Sequence, residues 1–390
     1  MKNGLLCILF SFLVTPILAQ QFELSEQAEI SIITVGPGSN LVDSFGHSAI
    51  RVKDESKGVD MAYNYGMYDF EAPNFYANFA KGKLLYSLGR YRFNNFMTYY
   101  QGQNRTVKEQ QLNLTSEEKQ TYFNFLENNA KPENRGYLYD FFYDNCATKL
   151  RDVSQTVLAN QINFDHSFAE EKDLSLRDLI HKYSYTQAWG TFGIDLALGS
   201  VIDRKATPEE YLFLPDYIFE SFENAQITTT NGSIPLVRKT NILFKAEASQ
   251  SKPGISPIMV FVFLAGLILL KTYRDFKNKK RSKWLDFSLF FITGTVGFIM
   301  LLLWFATDHT ATVKNYNVLW AVAINLPMAF YLLQKSLGNW FRYYCYFLIA
   351  LLVILLVIAG LQIQAFNVAV YPLIFALAVR YAYLAKPMNR

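Results

Sequence analysis

Five apolar stretches in the last third of the chain, at about 257–272, 284–306, 317–334, 343–361 and 366–384, constrain its fold more than any other feature. Each approaches the roughly 20 residues that a helix needs to cross the hydrocarbon core of a bilayer. They predict a bundle of five membrane helices over 257–390. The first stretch is short and ends on Lys271, whose apolar stem can reach the interface while its charge stays in water. The connecting segments orient the bundle. Segment 271–283 carries seven Lys/Arg, 335–342 carries two and the tail from Arg380 carries three, whereas the alternate loops 307–316 and 362–366 hold one between them. Basic loops stay in the cytoplasm. The C-terminus is therefore expected inside and everything before residue 257 outside.

The N-terminus agrees with that orientation. Lys2, the apolar run 5–14 and the sequence Ile17-Leu18-Ala19 form a secretory signal, 1–19, with cleavage expected after Ala19. Charge divides the same way. Residues 20–250 hold 22 Lys/Arg against 30 Asp/Glu, and residues 251–390 hold 14 against three. The overall charge of +4 thus reflects membrane orientation and requires no nucleic-acid partner. The expected organisation is a signal peptide, an exported domain over 20–250, a linker at 251–256 and the membrane bundle.

The exported domain reads as α+β. Strands are expected at 28–35, 44–52 and 59–67, with turns at Gly36-Pro37-Gly38 and 53–58. Thr115 has the character of an N-cap for a helix running toward Asn128. Leu150, Val153, Val157 and Leu158 recur at helical spacing over 146–158.

Cysteine usage narrows the chemistry. Cys7 lies in the leader and Cys345 in the fourth apolar stretch, so Cys146 is alone in the exported domain, without a disulfide partner. The histidines at 47, 166, 181 and 309 offer no zinc-ligand spacing with it, and no metal or cofactor is expected. A thiol needs an imidazole to become a nucleophile, and His47, in Phe45-Gly46-His47-Ser48, is the candidate. At the first turn of a helix, Cys146 would also gain the helix dipole and free N–H donors. A hairpin turn centred between residues 55 and 56 would set Asn64 opposite His47, as the third member of a triad, with Asp69 in reserve. Tyr139 and Tyr143 are possible oxyanion donors. The structural alternative is that Cys146 packs as a small apolar side chain. His166 and His181 read as surface residues.

Two further features bear on the membrane. Segment 63–100 holds thirteen aromatics interleaved with Lys81, Lys83, Arg90 and Arg92. That mixture suits a lipid headgroup boundary, or an aromatic core beneath a sheet. Asp308-His309 follows the second apolar stretch on the outer side, where it is either a polar pair near the exported site or an ordinary loop.

Motifs spread along the exported domain resemble one family. They comprise Gly36-Pro37-Gly38, Phe45-Gly46-His47-Ser48-Ala49-Ile50-Arg51-Val52, Tyr63-Asn64-Tyr65-Gly66, Asp69-Phe70, Pro73-Asn74-Phe75-Tyr76 and Lys81-Gly82-Lys83-Leu84. Asp144-Asn145-Cys146-Ala147-Thr148, Arg151-Asp152-Val153, Gly193-Ile194-Asp195-Leu196, Leu198-Gly199-Ser200, Asp203-Arg204 and Phe213-Leu214-Pro215-Asp216-Tyr217 complete the set. The chain resembles the Lnb-type lipoprotein N-acyltransferases of bacterial inner membranes. The resemblance implies a permuted papain-like (NlpC/LRAT-like) domain in the periplasm, with His47 and Cys146 as its catalytic pair. It further implies a phospholipid acyl donor and a diacylated lipoprotein as acceptor. Ala147 departs from the hydroxyl residue expected after the nucleophile. Two other readings remain, an NlpC-type cysteine peptidase acting on cell-wall peptides and a non-catalytic lipoprotein-binding membrane module.

Overall fold

A computed structural model describes residues 22–170, 172–230, 232–247 and 254–386. The expected signal peptide, 1–19, and residues 251–253 of the expected linker lie outside the described residues. The exported domain is built on β1 (Glu29–Val35), β2 (His47–Asp54), β3 (Val59–Met67), β4 (Leu85–Arg92), β5 (Val107–Leu112), β6 (Gly136–Leu138) and a late strand, Val237–Phe244. These seven form one antiparallel sheet in which the late strand pairs with β5, followed by β1, β2, β3, β4 and β6. Alternation along the strands gives the sheet two apolar faces. Ile30, Ile32, Ile50 and Val52 pack with Leu150 and Val153 of the helix Cys146–Leu158 on one face. Ile33, Val35, Ala49 and Ala62 pack on the other face with Phe93, Phe96 and Tyr100 of the helix Phe93–Gly102. The helix Ser116–Asn129 opens on a capping box, in which Thr115 and Glu118 satisfy each other's free N–H groups.

The β2–β3 turn departs from expectation. Glu55–Lys57 forms a single 3-10 turn closed by Gly58, whose φ of 66° suits glycine. The first ladder pair is Asp54↔Val59 and the last is Ile50↔Tyr63. The turn therefore centres one residue later than expected and every partner moves by two. Continued, the ladder would place His47 opposite Gly66 rather than Asn64. An even shift preserves the face, so Asn64 remains on the same side as His47.

The helices Pro257–Lys277, Lys283–Phe305 and Trp340–Gly360 are long and apolar enough to cross a membrane, while Val370–Leu384 is shorter. The third apolar stretch is not one helix. It divides into a 3-10 turn, Tyr316–Leu319, and a short helix, Asn325–Tyr331. Pro327 removes a backbone donor there. Asn317 and Asn325 are fully buried and hydrogen-bonded, the latter to Thr293 Oγ1 at 3.0 Å and to the Tyr344 hydroxyl at 2.7 Å. Irregular backbone at membrane depth survives only when protein covers it. Gly294 and Gly297 provide that cover, because any side chain at either position would collide with the backbone of Leu326 or Ala321. Among the membrane helices, buried Arg380 bridges Asp275 at 2.8 Å and Asp286 at 2.7 Å.

The exported and membrane parts meet across a polar seam. Arg177, only 1% exposed, bonds Asp195 at 2.9 Å and Asp203 at 2.8 Å and also donates to the carbonyls of Leu198 and Gly199. Asp195 additionally accepts from His181 at 2.8 Å and from Asn367 Nδ2 at 2.8 Å. His181 is thus part of the seam rather than a free surface residue, and Asn367 is one of its ties from the membrane side. Asn315 Nδ2 reaches the Leu196 carbonyl at 2.7 Å. The 308–310 loop docks too. Asp308 N–H donates to the Lys81 carbonyl at 2.8 Å, Gly82 packs on the 308–309 backbone, and Thr310 Oγ1 bonds Asp140 at 3.0 Å.

Candidate active site

His47 opens β2 and Cys146 opens the helix Cys146–Leu158, which packs across that strand. The start of that helix is fixed by Asn145. Its Oδ1 accepts from the N–H groups of Ala147 at 2.8 Å and Thr148 at 3.0 Å, and its Nδ2 donates to the carbonyls of Phe141 at 2.9 Å and Phe213 at 2.7 Å. An N-cap tied to two further carbonyls sets the direction of the helix as well as ending it. Cys146 then stands at the first helical position, half-buried, where the dipole favours an anion.

The two side chains meet where the β2–β3 ladder has ended and β3 carries an irregularity between Asn64 and Met67. Gly66, with φ of 92°, lies against both. Its Cβ position is 3.5 Å from Cys146 Cβ and 3.9 Å from His47 Cε1, so a larger side chain would fill the contact. His47 Nε2 bonds Asn64 Oδ1 at 2.5 Å, and the Cys146 side chain and the same imidazole both border Gly66. Asn64 is buried and donates through Nδ2 to the Met67 sulfur at 3.2 Å. The three residues named from the sequence are therefore together, Asn64 by a diagonal rather than a direct cross-strand approach.

Electrostatics favour the charged forms of both side chains. Burial works against a charged Cys146, yet the adjacent imidazolium, its hydrogen bond, and the backbone N–H groups of Ser48 and Cys146 outweigh it and hold the thiol below its ordinary value. Burial likewise opposes the charged form of His47, but attraction to the thiolate and the bonds from Cys146 and Asn64 prevail, and the imidazole is raised. Together these favour a thiolate–imidazolium pair. Because the Asn64 bond helps to raise His47, Asn64→Ala should lower the pH at which the ring loses its proton. Titration of the His47 ring by NMR checks this, and an unchanged or higher midpoint would contradict it.

The reserve residues separate. Asp69 is exposed and accepts from the Glu71 N–H at 2.9 Å, closing its own turn. Tyr143 is half exposed and its hydroxyl donates to Glu210 at 3.2 Å. Tyr139 stacks on Tyr86 at 4.2 Å, and burial, with the charge of Cys146 adding to it, pushes its phenol well up. His166 is half-buried beside Phe164. The sequence reading missed two wall residues, Tyr100, stacked on His47 at 6.0 Å, and Arg105. Both line a cleft of about 550 Å³ that also holds His47 and Asn64. The aromatic segment proves to be divided, with Tyr63, Tyr65 and Phe93 in the core and Phe70, Tyr76, Phe79 and Leu85 exposed.

Comparison with known families gives two matches in chain order. The Lnb N-terminal periplasmic domain matches residues 19–182, and the Lnb transmembrane domain matches residues 248–388. No curated protein and no solved structure matches the chain. The late strand Val237–Phe244, which lies between the two matched regions, completes the sheet of the first. With a periplasmic domain and a membrane domain matched in order, the chain belongs to the Lnb family of membrane proteins of lipoprotein maturation.

Proposed function

We propose that this protein is a phospholipid:lipoprotein N-acyltransferase of the bacterial inner membrane, with Cys146 as nucleophile, His47 as proton shuttle and Asn64 as the residue orienting His47. The observation that carries the reading is that Cys146, His47 and Asn64 come together around Gly66 in a domain fastened to a loop of its own membrane domain. A histidine on a strand preceding a cysteine at a helix start also suits the permuted papain-like arrangement.

The chemistry runs in two halves. The Cys146 thiolate attacks the acyl carbon of a phospholipid ester, and the tetrahedral oxyanion forms beside the helix start, with the Tyr139 phenol near. As the C–O bond breaks, imidazolium His47 gives its proton to the departing lysophospholipid oxygen. The resulting thioester keeps the acyl group activated. The α-amine of a diacylated lipoprotein's N-terminal cysteine then attacks the thioester, His47 takes the amine's proton, and amide and thiolate are released.

Lipid access supports this substrate class. A groove of about 370 Å³ lined by Phe75, Phe79 and Leu85 shares Met67 and Tyr68 with the cleft that holds His47. It suits an acyl chain, and its exposed aromatics suit the bilayer boundary. The test mixes purified protein, phospholipid and a synthetic diacyl lipopeptide and weighs the products by mass spectrometry. An added amide-linked acyl chain is expected. Free fatty acid alone would make the protein a hydrolase, and unchanged substrates would overturn the reading.

A further inference from the structure

Arg105 is a cation with an unsatisfied end in the wall of the cleft that holds His47. Its side chain is 3% exposed. Nε donates to the Gly36 carbonyl at 2.9 Å, and Nη1 donates to Asp43 Oδ1 at 3.1 Å and Gln103 Oε1 at 3.3 Å. Nη2 is buried and has no hydrogen-bond partner among the described residues. Native proteins rarely leave a buried donor unpaired, and a charged one is costlier still. Among the described residues Arg105 is also the one Lys or Arg in the lining, and Asp43 the one carboxylate, which is already engaged with Nη1.

Its position relates it to the reaction. Tyr100 touches both groups, with its ring 6.0 Å from the His47 ring and 5.0 Å from the Arg105 guanidinium carbon. The cation therefore stands one aromatic ring from the proton shuttle. Arg105 is held there by the Gly36-Pro37-Gly38 turn, since Gly36 supplies the carbonyl and a side chain at Gly38 would press on Asp43 and Arg105. In a glycerophospholipid the phosphodiester lies one glycerol unit from the ester carbonyl. The apolar groove leaves the cleft past Met67 and Tyr68, while Arg105 forms another part of its wall.

We infer that Arg105 binds the phosphate of a glycerophospholipid donor and so makes the enzyme select donors that carry a phosphodiester. This rests on the acyl-transfer reading above. A guanidinium N–H meeting a phosphate oxygen forms a charge-assisted bond, and one such bond is worth about tenfold to a hundredfold in discrimination.

Two measurements test it. In the first, wild-type protein in detergent is alkylated at Cys146 by iodoacetamide with glycerol 3-phosphate, inorganic phosphate or glycerol present. Slowing by glycerol 3-phosphate but not by glycerol is expected, and no protection overturns the inference. Equal protection by inorganic phosphate, with no donor selectivity in the second measurement, marks a free-phosphate site and also overturns it. The second compares acyl-enzyme formation from phosphatidylglycerol vesicles with that from vesicles of a galactosyl diacylglycerol with the same acyl chains. Wild type should prefer the phosphate-bearing donor, and Arg105→Gln should cut that preference about tenfold or more, with partial recovery in Arg105→Lys. Equal loss with both donors would reduce Arg105 to a support of the turn. Should Arg105→Gln not fold, the wild-type protection decides. Protection without acyl-enzyme from any donor would leave the anion site standing and sink the acyl-transfer reading instead.

Discussion

Cys146→Ser should reduce acyl transfer to a diacyl lipopeptide by about six orders of magnitude, the loss seen when the nucleophile or its base is removed. Serine is nearly isosteric, and the helix start depends on Asn145 rather than on residue 146, so the fold should persist. What disappears is the ionisation. The imidazole holds the thiol below its ordinary value, but it cannot ionise a hydroxyl of far higher pKa. His47→Gln should fall as far, because the thiol then loses both its partner charge and its proton shuttle. The double variant should be little worse than either single one, since the two residues act as one unit. Product mass spectrometry in phospholipid vesicles gives the comparison, and a Cys146→Ser protein retaining a tenth of the activity would exclude the thiol as nucleophile.

The second large effect concerns stability. Arg177→Ala should destabilise the protein by about 3–5 kcal/mol, because removing one partner of a buried ion pair strands the others. Asp195 and Asp203 would be left buried with their charge uncompensated, and the carbonyls of Leu198 and Gly199 would lose their donor. Arg177→Lys should recover little, since a single ammonium cannot span both carboxylates in the geometry of the guanidinium fork. The seam is where the exported domain rests on the membrane helices, so the variant should also become easier to cleave by protease near residues 195–203. Unfolding in detergent measures the loss. A change below about 1 kcal/mol, the usual range for exposed ion pairs, would mean that the seam does not hold the two parts together.

Local chemistry was the legible part of the sequence. Val59–Met67 matches the expected strand residue for residue, and the helix Cys146–Leu158 has the expected bounds. Both follow from patterns within a single element. Pairing was harder, because register depends on the turn. Glu55–Lys57 closes as a 3-10 turn on Gly58, and that displaced Asn64 from its expected partner while the two-residue side-chain period kept it on the correct face. The third apolar stretch was misleading for a different reason. Hydropathy registers Asn317, Asn325 and Pro327 only as minor interruptions, whereas the backbone breaks there because Gly294 and Gly297 let a neighbouring segment come close enough to cover it.

Residues that act across long sequence separations were not legible at all. Arg177, Asp195, Asn315 and Asn367 converge from three separate regions of the chain, and nothing near any one of them signals the others. Arg105 is similar. Its partner Gly36 belongs to a turn that reads only as a turn, and the guanidinium reaches the cleft because Tyr100 and Asp43 happen to flank it in space.

The most direct test is to identify what Cys146 carries. Wild-type protein incubated with phospholipid and no lipoprotein should yield, on digestion, a Cys146 peptide heavier by one acyl group, and hydroxylamine should remove that mass. The added lipopeptide should discharge it as well. A Cys146 peptide of unmodified mass under conditions where the lipopeptide does become acylated would contradict a thioester route and place the chemistry elsewhere in the protein.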